Sequence, residues 1–334
     1  MRELVIVVAD LYLPGEGSAD SLPLPGIERI ARFATKSVLA GGWRPWLARR
    51  MGAAALAEEP AALIAARCCS AEVASAAWLA TPVHCSAGLS SLHLEHRGLL
   101  KLPMATLHAL AADFREVFQG ADFALEPLAS GDFLLRGPAL AEPPAIEPAR
   151  CVGTNLAAAL PRAAALRRLG AEIEIWLHEH PENLARAARA ELPVTGLWMW
   201  GGGIATRTPR TPAGTLLESA RAYGCDPYLD GLWCARGART QALPESIEAL
   251  LLEPARTSVI VLELAQLLAS DARAGVGDAI AMLDARWIAP AAAHLARGEL
   301  TSLTLIANDR CLMLGRRDWL KRWRRPCRGL AALA

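Results

Sequence analysis

Leu4-Val5-Ile6-Val7-Val8-Ala9-Asp10 is the stretch from which the fold is read. Six apolar residues, four of them β-branched, suit a strand buried on both faces, as a central parallel strand is. The run ends at a carboxylate, Asp10, where open α/β sheets place their binding and catalytic groups, although a loop or cap aspartate is the simpler reading of this residue alone. Pro14, Gly15, Gly17, Pro23, Pro25 and Gly26 then mark a loop. Ile27, Ile30, Ala31 and Ala34 recur at helical spacing, which predicts a helix over about residues 26–36. Farther along, residues 194–200, 258–262 and 300–307 read as strands. Helical patterns fall over 155–169, 172–180 and 278–295. Strands alternating with helices predict a doubly wound α/β fold, with a mainly parallel sheet covered on both faces.

A different texture occupies residues 76–137. Short strands at 76–80, 92–96, 123–128 and 133–136 surround a helix whose apolar stripe is Leu107, Leu110, Ala111, Phe114 and Phe118. This reads as a small α+β insertion, with Pro143, Pro144 and Pro148 in the linker that leaves it. The expected organisation is therefore core 1–75, insertion 76–147 and core 148–334.

Composition narrows the function classes. The 334 residues are 53% hydrophobic and 21% charged, with a formal net charge of +1. Such a chain buries a large core, so general disorder is excluded. Near-neutral charge argues against a nucleic-acid partner, and no apolar run is long enough to span a membrane. The apolar segment at 4–9 is too short for an export signal. Eight cysteines without a C-x-x-C pair then read as reduced thiols in a cytoplasmic protein.

Several clusters offer chemistry. His178 and His180, two apart beside Pro181, make a zinc site only if a residue such as His84 joins them; capping of a helix end is the simpler reading. Gly201, Gly202 and Gly203 follow a strand, with Arg207 and Arg210 beyond, a composition that holds a phosphate or carboxylate or else only makes a turn. At 316–325, Trp319 and Trp323 share a helical face among basic residues, a surface for an anionic partner or an anchor to the body. G-x-S-x-G, the hydrolase elbow, is absent.

Taken in order, these pieces resemble the archaeal-type cofactor-independent phosphoglycerate mutases of the alkaline-phosphatase superfamily, and more closely a bacterial regulatory offshoot of RpfE type. The opening strand with Asp10, followed by Leu22-Pro23-Leu24-Pro25-Gly26-Ile27-Glu28-Arg29-Ile30-Ala31, is similar to the family's strand-Asp and its "P-N-L-D-R-L-A" helix. His180-Pro181-Glu182-Asn183-Leu184-Ala185-Arg186, with Leu192 to Gly203, is similar to "H-P-V-N-x-x-R … P-A-N-x-I-L-x-x-G-x-G".

The resemblance implies two divalent metals, manganese or zinc, and a phosphorylated hydroxyl nucleophile. Asp10, Asp271 and Asp309 stand at positions for metal ligands, but Val276 and Arg310 replace histidines of the pattern. Residues 42–50, which should present the nucleophile, contain no serine or threonine, and Ser37 is the nearest hydroxyl. Asn183, Arg186 and Gly201 to Gly203 match the phosphate-holding side. The reading that follows is a catalytically degenerate, ligand-sensing or regulatory protein without a cofactor, its ligand a small phosphorylated acid. Its rivals are a working mutase or phosphatase, and an adaptor that binds a protein through the terminal Trp/Arg helix.

Overall fold

The computed structural model describes residues 2–12, 22–69, 76–88, 92–140, 145–156, 159, 163–204, 219–271, 273–320, 324–326 and 328–333. Its strands are β1 (Glu3–Val8), β2 (Thr35–Val38), β3 (Ala76–Ala87), β4 (Leu92–Leu99), β5 (Ala124–Pro127), β6 (Phe133–Gly137), β7 (Gly196–Ile204), β8 (Ala220–Tyr223), β9 (Thr257–Leu262), β10 (Ser302–Ala307) and β11 (Arg310–Gly315). The helices are α1 (Pro25–Phe33), α2 (Trp43–Arg50), α3 (Ala61–Ala65), α4 (Met104–Val117), α5 (Ala164–His178), α6 (Pro181–Ala188), α7 (Pro227–Cys234), α8 (Ile247–Leu252), α9 (Leu264–Ser270), α10 (Val276–Leu283) and α11 (Ala289–Arg297).

Two compact units divide the chain differently from the sequence expectation. Met1–Ala57, Thr211–Cys225 and Arg236–Ala334 form the first; Glu58–Arg210 and Asp226–Ala235 form the second. The second unit is thus far larger than 76–147, because β7 and α5 belong to its sheet and core.

In the first unit the strand order is β2-β11-β10-β1-β9-β8. β1 pairs in parallel with β10 and with β9, and β9 with β8, while β11 and β2 add antiparallel edges. Leu4, Ile6 and Val8 enter a core with Ile27 and Ile30 of α1 and Ile280 and Leu283 of α10. Val5 and Val7 on the opposite face are 2% and 0% exposed, so β1 is covered on both sides, as its continuous apolar run requires. The predicted helix 278–295 is interrupted by a π turn at Asp284–Ile288. Pro290 lacks the N–H that would continue the ladder there, and the displaced turn lets Asp284 accept the Gly26 and Ile27 amides that open α1.

The terminal stretch is not the expected α-helix over its described residues. Asp318–Leu320 is a single 3-10 turn. Trp319 lies edge-on to Phe33, 5.1 Å between ring centroids, with the Arg29 guanidinium 4.8 Å above it. It is therefore an anchor onto α1, whereas Trp323 falls outside the described residues.

The second unit is built on β3, which pairs antiparallel with β6, β4 and β7. Residues 194–200 were expected in the main sheet. They join this antiparallel one instead, because an apolar run specifies a buried strand but not its neighbour. The helical patterns at 155–169 and 172–180 are one helix, α5, whose Leu166, Leu169, Ile173 and Leu177 pack with Leu107, Leu110 and Phe114 of α4. Cys68 and Cys234 form a disulfide with an S–S distance of 2.08 Å, which corrects the expectation that every cysteine is a free thiol. Distant cysteines meet here because α7 packs against α3 and the short turn that follows it.

Candidate functional site

Asp10 occupies the expected place, just past the carboxyl end of β1, and is 6% exposed. Its two oxygens accept the amides that begin α9, from Leu264 at 2.7 Å and Ala265 at 2.8 Å. The carboxylate thus satisfies helix-start donors that have no partner within the helix. Asp309 follows the carboxyl end of β10, the strand beside β1, at the same edge of the sheet. Asn308 and Asp309 are the two-residue turn between β10 and β11, since Ala307 pairs directly with Arg310. Asn308 takes the positive φ of 40° that this turn requires and donates its side-chain amide to the Ala9 carbonyl. The Arg310 guanidinium stands 3.8 Å from Asp309. Asp271 is exposed and accepts the Arg273 amide at 2.8 Å.

This donor set does not fit a two-metal centre. Asp10 is committed to amides, Asp309 faces a cation, and Asp271 closes a local turn. Among the described residues, no group of three or more His, Cys, Asp or Glu side chains is placed to hold a metal ion. Ser37 lies exposed on edge strand β2, one residue before its carboxyl end; it pairs with Cys311, which faces Ile306 of β10, so it stands near the carboxyl edge of the sheet, separated from β1 by β11 and β10. The histidines stay separate as well. His84 approaches the Pro193 carbonyl at 3.0 Å, and His178 is exposed at the end of α5. His180 caps α6 by accepting the Glu182 amide and meets Asp113 at 2.9 Å.

Asn183, Arg186 and the three glycines all lie in the second unit. Asn183 donates to the carbonyls of Leu177 and Val194, at 2.7 and 2.8 Å, and accepts the Val194 amide at 2.8 Å. Its amide group joins the end of α5 to the segment entering β7. Arg186 donates through Nε to the Leu192 carbonyl at 2.8 Å, and its Nη1 is 3.1 Å from Glu191. Burial holds its guanidinium pKa down. Gly201 to Gly203 belong to β7 itself. A Cβ on Gly202 would collide with the Trp78 indole, and one on Gly203 with Pro60, so both glycines admit neighbouring side chains. Arg207 and Arg210 fall outside the described residues.

A concavity that the sequence reading did not single out lies in the second unit, between α5 and β7. It encloses about 380 Å³ and includes Leu166, Gly170 and Glu174 of α5, Val83 and Cys85 of β3, and Trp198 of β7. Thr195 binds Cys85 to this wall by accepting its amide at 2.8 Å. Burial, reinforced by the charge of Glu174, pushes the Cys85 thiol up to about 11. Burial also raises the Glu174 carboxyl above the usual range. Gly170 gives no signal of it in the sequence, where it falls in the gap between the helical patterns at 155–169 and 172–180; only the structure places it within α5.

Comparison with known proteins finds distant structural likeness only. The sequence matches no family model and no curated protein. The cofactor-independent phosphoglycerate mutase from Thermoplasma acidophilum is similar at 13% identity and a TM-score of 0.37, over 94% of this chain and 90% of that one. The PH0037 protein from Pyrococcus horikoshii is similar at 12% identity and a TM-score of 0.48, over 94% and 87% of the two chains.

Proposed function

We propose that this chain is a phosphoglycerate-mutase-like protein whose phosphoryl-transfer centre is closed, and that it works as a ligand-binding regulatory module. The observation that carries the reading is Asp10. Both of its oxygens are held by the Leu264 and Ala265 amides, so the carboxylate is part of the frame instead of an open ligand. Arg310 beside Asp309 adds to this, because a guanidinium next to a carboxylate opposes a dication there. A serine hydroxyl near this edge then lacks the activation that a divalent metal would supply.

Elemental analysis tests the reading. After equilibration with manganese or zinc and dialysis, the protein should retain less than a stoichiometric amount of either ion. Two retained ions per chain would overturn it. Calorimetric titration with 3-phosphoglycerate, on wild type and Arg186→Ala, tests the phosphorylated-acid ligand separately. Arg186 already serves Leu192 and Glu191, so any affinity it contributes must come from its remaining guanidinium donors.

A further inference from the structure

We propose that the basic face formed where residues 316–328 lie on α1, within the first unit, docks an acidic peptide segment of a partner protein. This role goes beyond the closed-centre reading and does not depend on it.

Charge is concentrated in this segment. Residues 316–328 hold seven of the 35 lysines and arginines and one of the 34 aspartates and glutamates, so the rest of the chain carries 28 basic against 33 acidic residues. The fold then gathers the segment onto a short piece of helix. Trp319 packs on Phe33 beneath the Arg29 guanidinium. Arg324 donates to the Phe33 and Ala34 carbonyls at the end of α1, and its own carbonyl accepts Arg32 Nε at 2.9 Å. The Gly329 amide donates to Glu28 at 2.8 Å. These anchors run from Glu28 to Ala34, about 9 Å of helix length. In them the guanidinium groups meet carbonyls and a ring, and the one carboxylate, Glu28, accepts an amide, so none of them neutralises a cation. Arg317 and Arg328 are exposed and make no hydrogen bond or ion pair with any described residue.

The surroundings select the partner. Among the described residues, no large apolar side chain of α1 or of the terminal segment is exposed, so the face lacks the wedge that strengthens binding to a lipid surface. Trp319 is held between Phe33 and Arg29, which leaves its ring unavailable as a platform for unpaired bases. A nucleic-acid duplex spreads its phosphates far beyond this short face, over a protein whose remaining charge is net negative. A short acidic peptide presents its carboxylates on the scale of the face, and guanidinium forks receive carboxylates in bidentate pairs.

The test is calorimetric titration of the full chain with acetylated octaglutamate, with a DNA duplex of about 20 base pairs and with vesicles containing phosphatidylglycerol. Octaglutamate should bind at submillimolar concentration in about 50 mM salt, about five-fold more weakly in about 200 mM salt, and more tightly than either rival at equal salt. Arg317→Glu/Arg328→Glu should weaken octaglutamate about ten-fold, and Arg317→Gln/Arg328→Gln, which removes the charges without adding repulsion, about three-fold. Arg115→Glu alters an exposed arginine of the second unit and should leave binding unchanged. Absence of octaglutamate binding, tighter binding of the duplex or the vesicles, or an equal loss in Arg115→Glu would each overturn the proposal. None of these titrations involves metal or turnover, so their failure is distinct from failure of the closed-centre reading.

Discussion

Replacing Asp10 with alanine removes two hydrogen bonds that its carboxylate accepts, at 2.7 and 2.8 Å, in a position only 6% exposed. Charge-assisted bonds of this kind contribute about 1.5–3 kcal/mol each, and loss of a helix cap alone costs about 0.5–2 kcal/mol. Water admitted to the vacated space recovers part of the loss, which leaves a net cost of about 2–4 kcal/mol. Native-state hydrogen exchange reads the effect at the two amides concerned. Exchange at Leu264 and Ala265 should accelerate about 30- to 1,000-fold in Asp10→Ala. Asp10→Asn should fall between wild type and alanine, since it keeps one acceptor and turns a donor toward the other amide. The measurement is made in chelator and repeated with manganese, and the result should not change. If Asp10→Ala left both amides protected, or if manganese slowed exchange in wild type alone, Asp10 would be a metal ligand and the closed-centre argument would fail.

Gly170→Ala should raise the stability of the second unit by about 0.5–1 kcal/mol, seen as a higher denaturation midpoint, and a fall would show that the 3.6 Å contact with Met199 is tighter than it looks. Cys85, pushed up to about 11, stays protonated at neutral pH, so its alkylation should be slow there and accelerate as pH rises toward that value. Glu174→Gln removes a negative charge that raises this pKa, so its profile should move to lower pH; an unchanged profile would separate Glu174 from Cys85. Non-reducing peptide mapping should recover Cys68 linked to Cys234, and Cys234→Ser should cost about 2–4 kcal/mol of stability, whereas recovery of both as free thiols would refute the linkage.

Where local pattern and burial agree, the sequence was informative. β1 reads as a two-sided buried strand because every residue from Leu4 to Val8 is apolar, and α4 because its stripe has helical period. Strands whose burial depends on distant partners were not legible. β2, Thr35-Lys36-Ser37-Val38, is exposed throughout, and only its ladder with β11 makes it a strand. β7 carries a generic apolar run, so nothing local indicates that it pairs with β3. The same limit applies to the site. The position of Asp10 was readable, but its partners lie more than 250 residues away, and their amides carry no side-chain signal. The substitution of Arg310 was visible in sequence, while the hairpin turn that sets it beside Asp309 was not. Asn183 was read as a ligand-binding residue from a matching motif, whereas its bonds to Leu177 and Val194, which depend on how α5 and β7 meet, had no local signal.

In the proposed reading, Asp10, Asn308 and Arg310 together leave no room for phosphoryl transfer at the carboxyl edge of β1 and β10. The most direct measurement is interconversion of 3- and 2-phosphoglycerate by the purified full chain, with manganese present and with chelator. No turnover above the protein-free control is predicted under either condition. Manganese-dependent turnover that Asp10→Ala abolishes would contradict the claim.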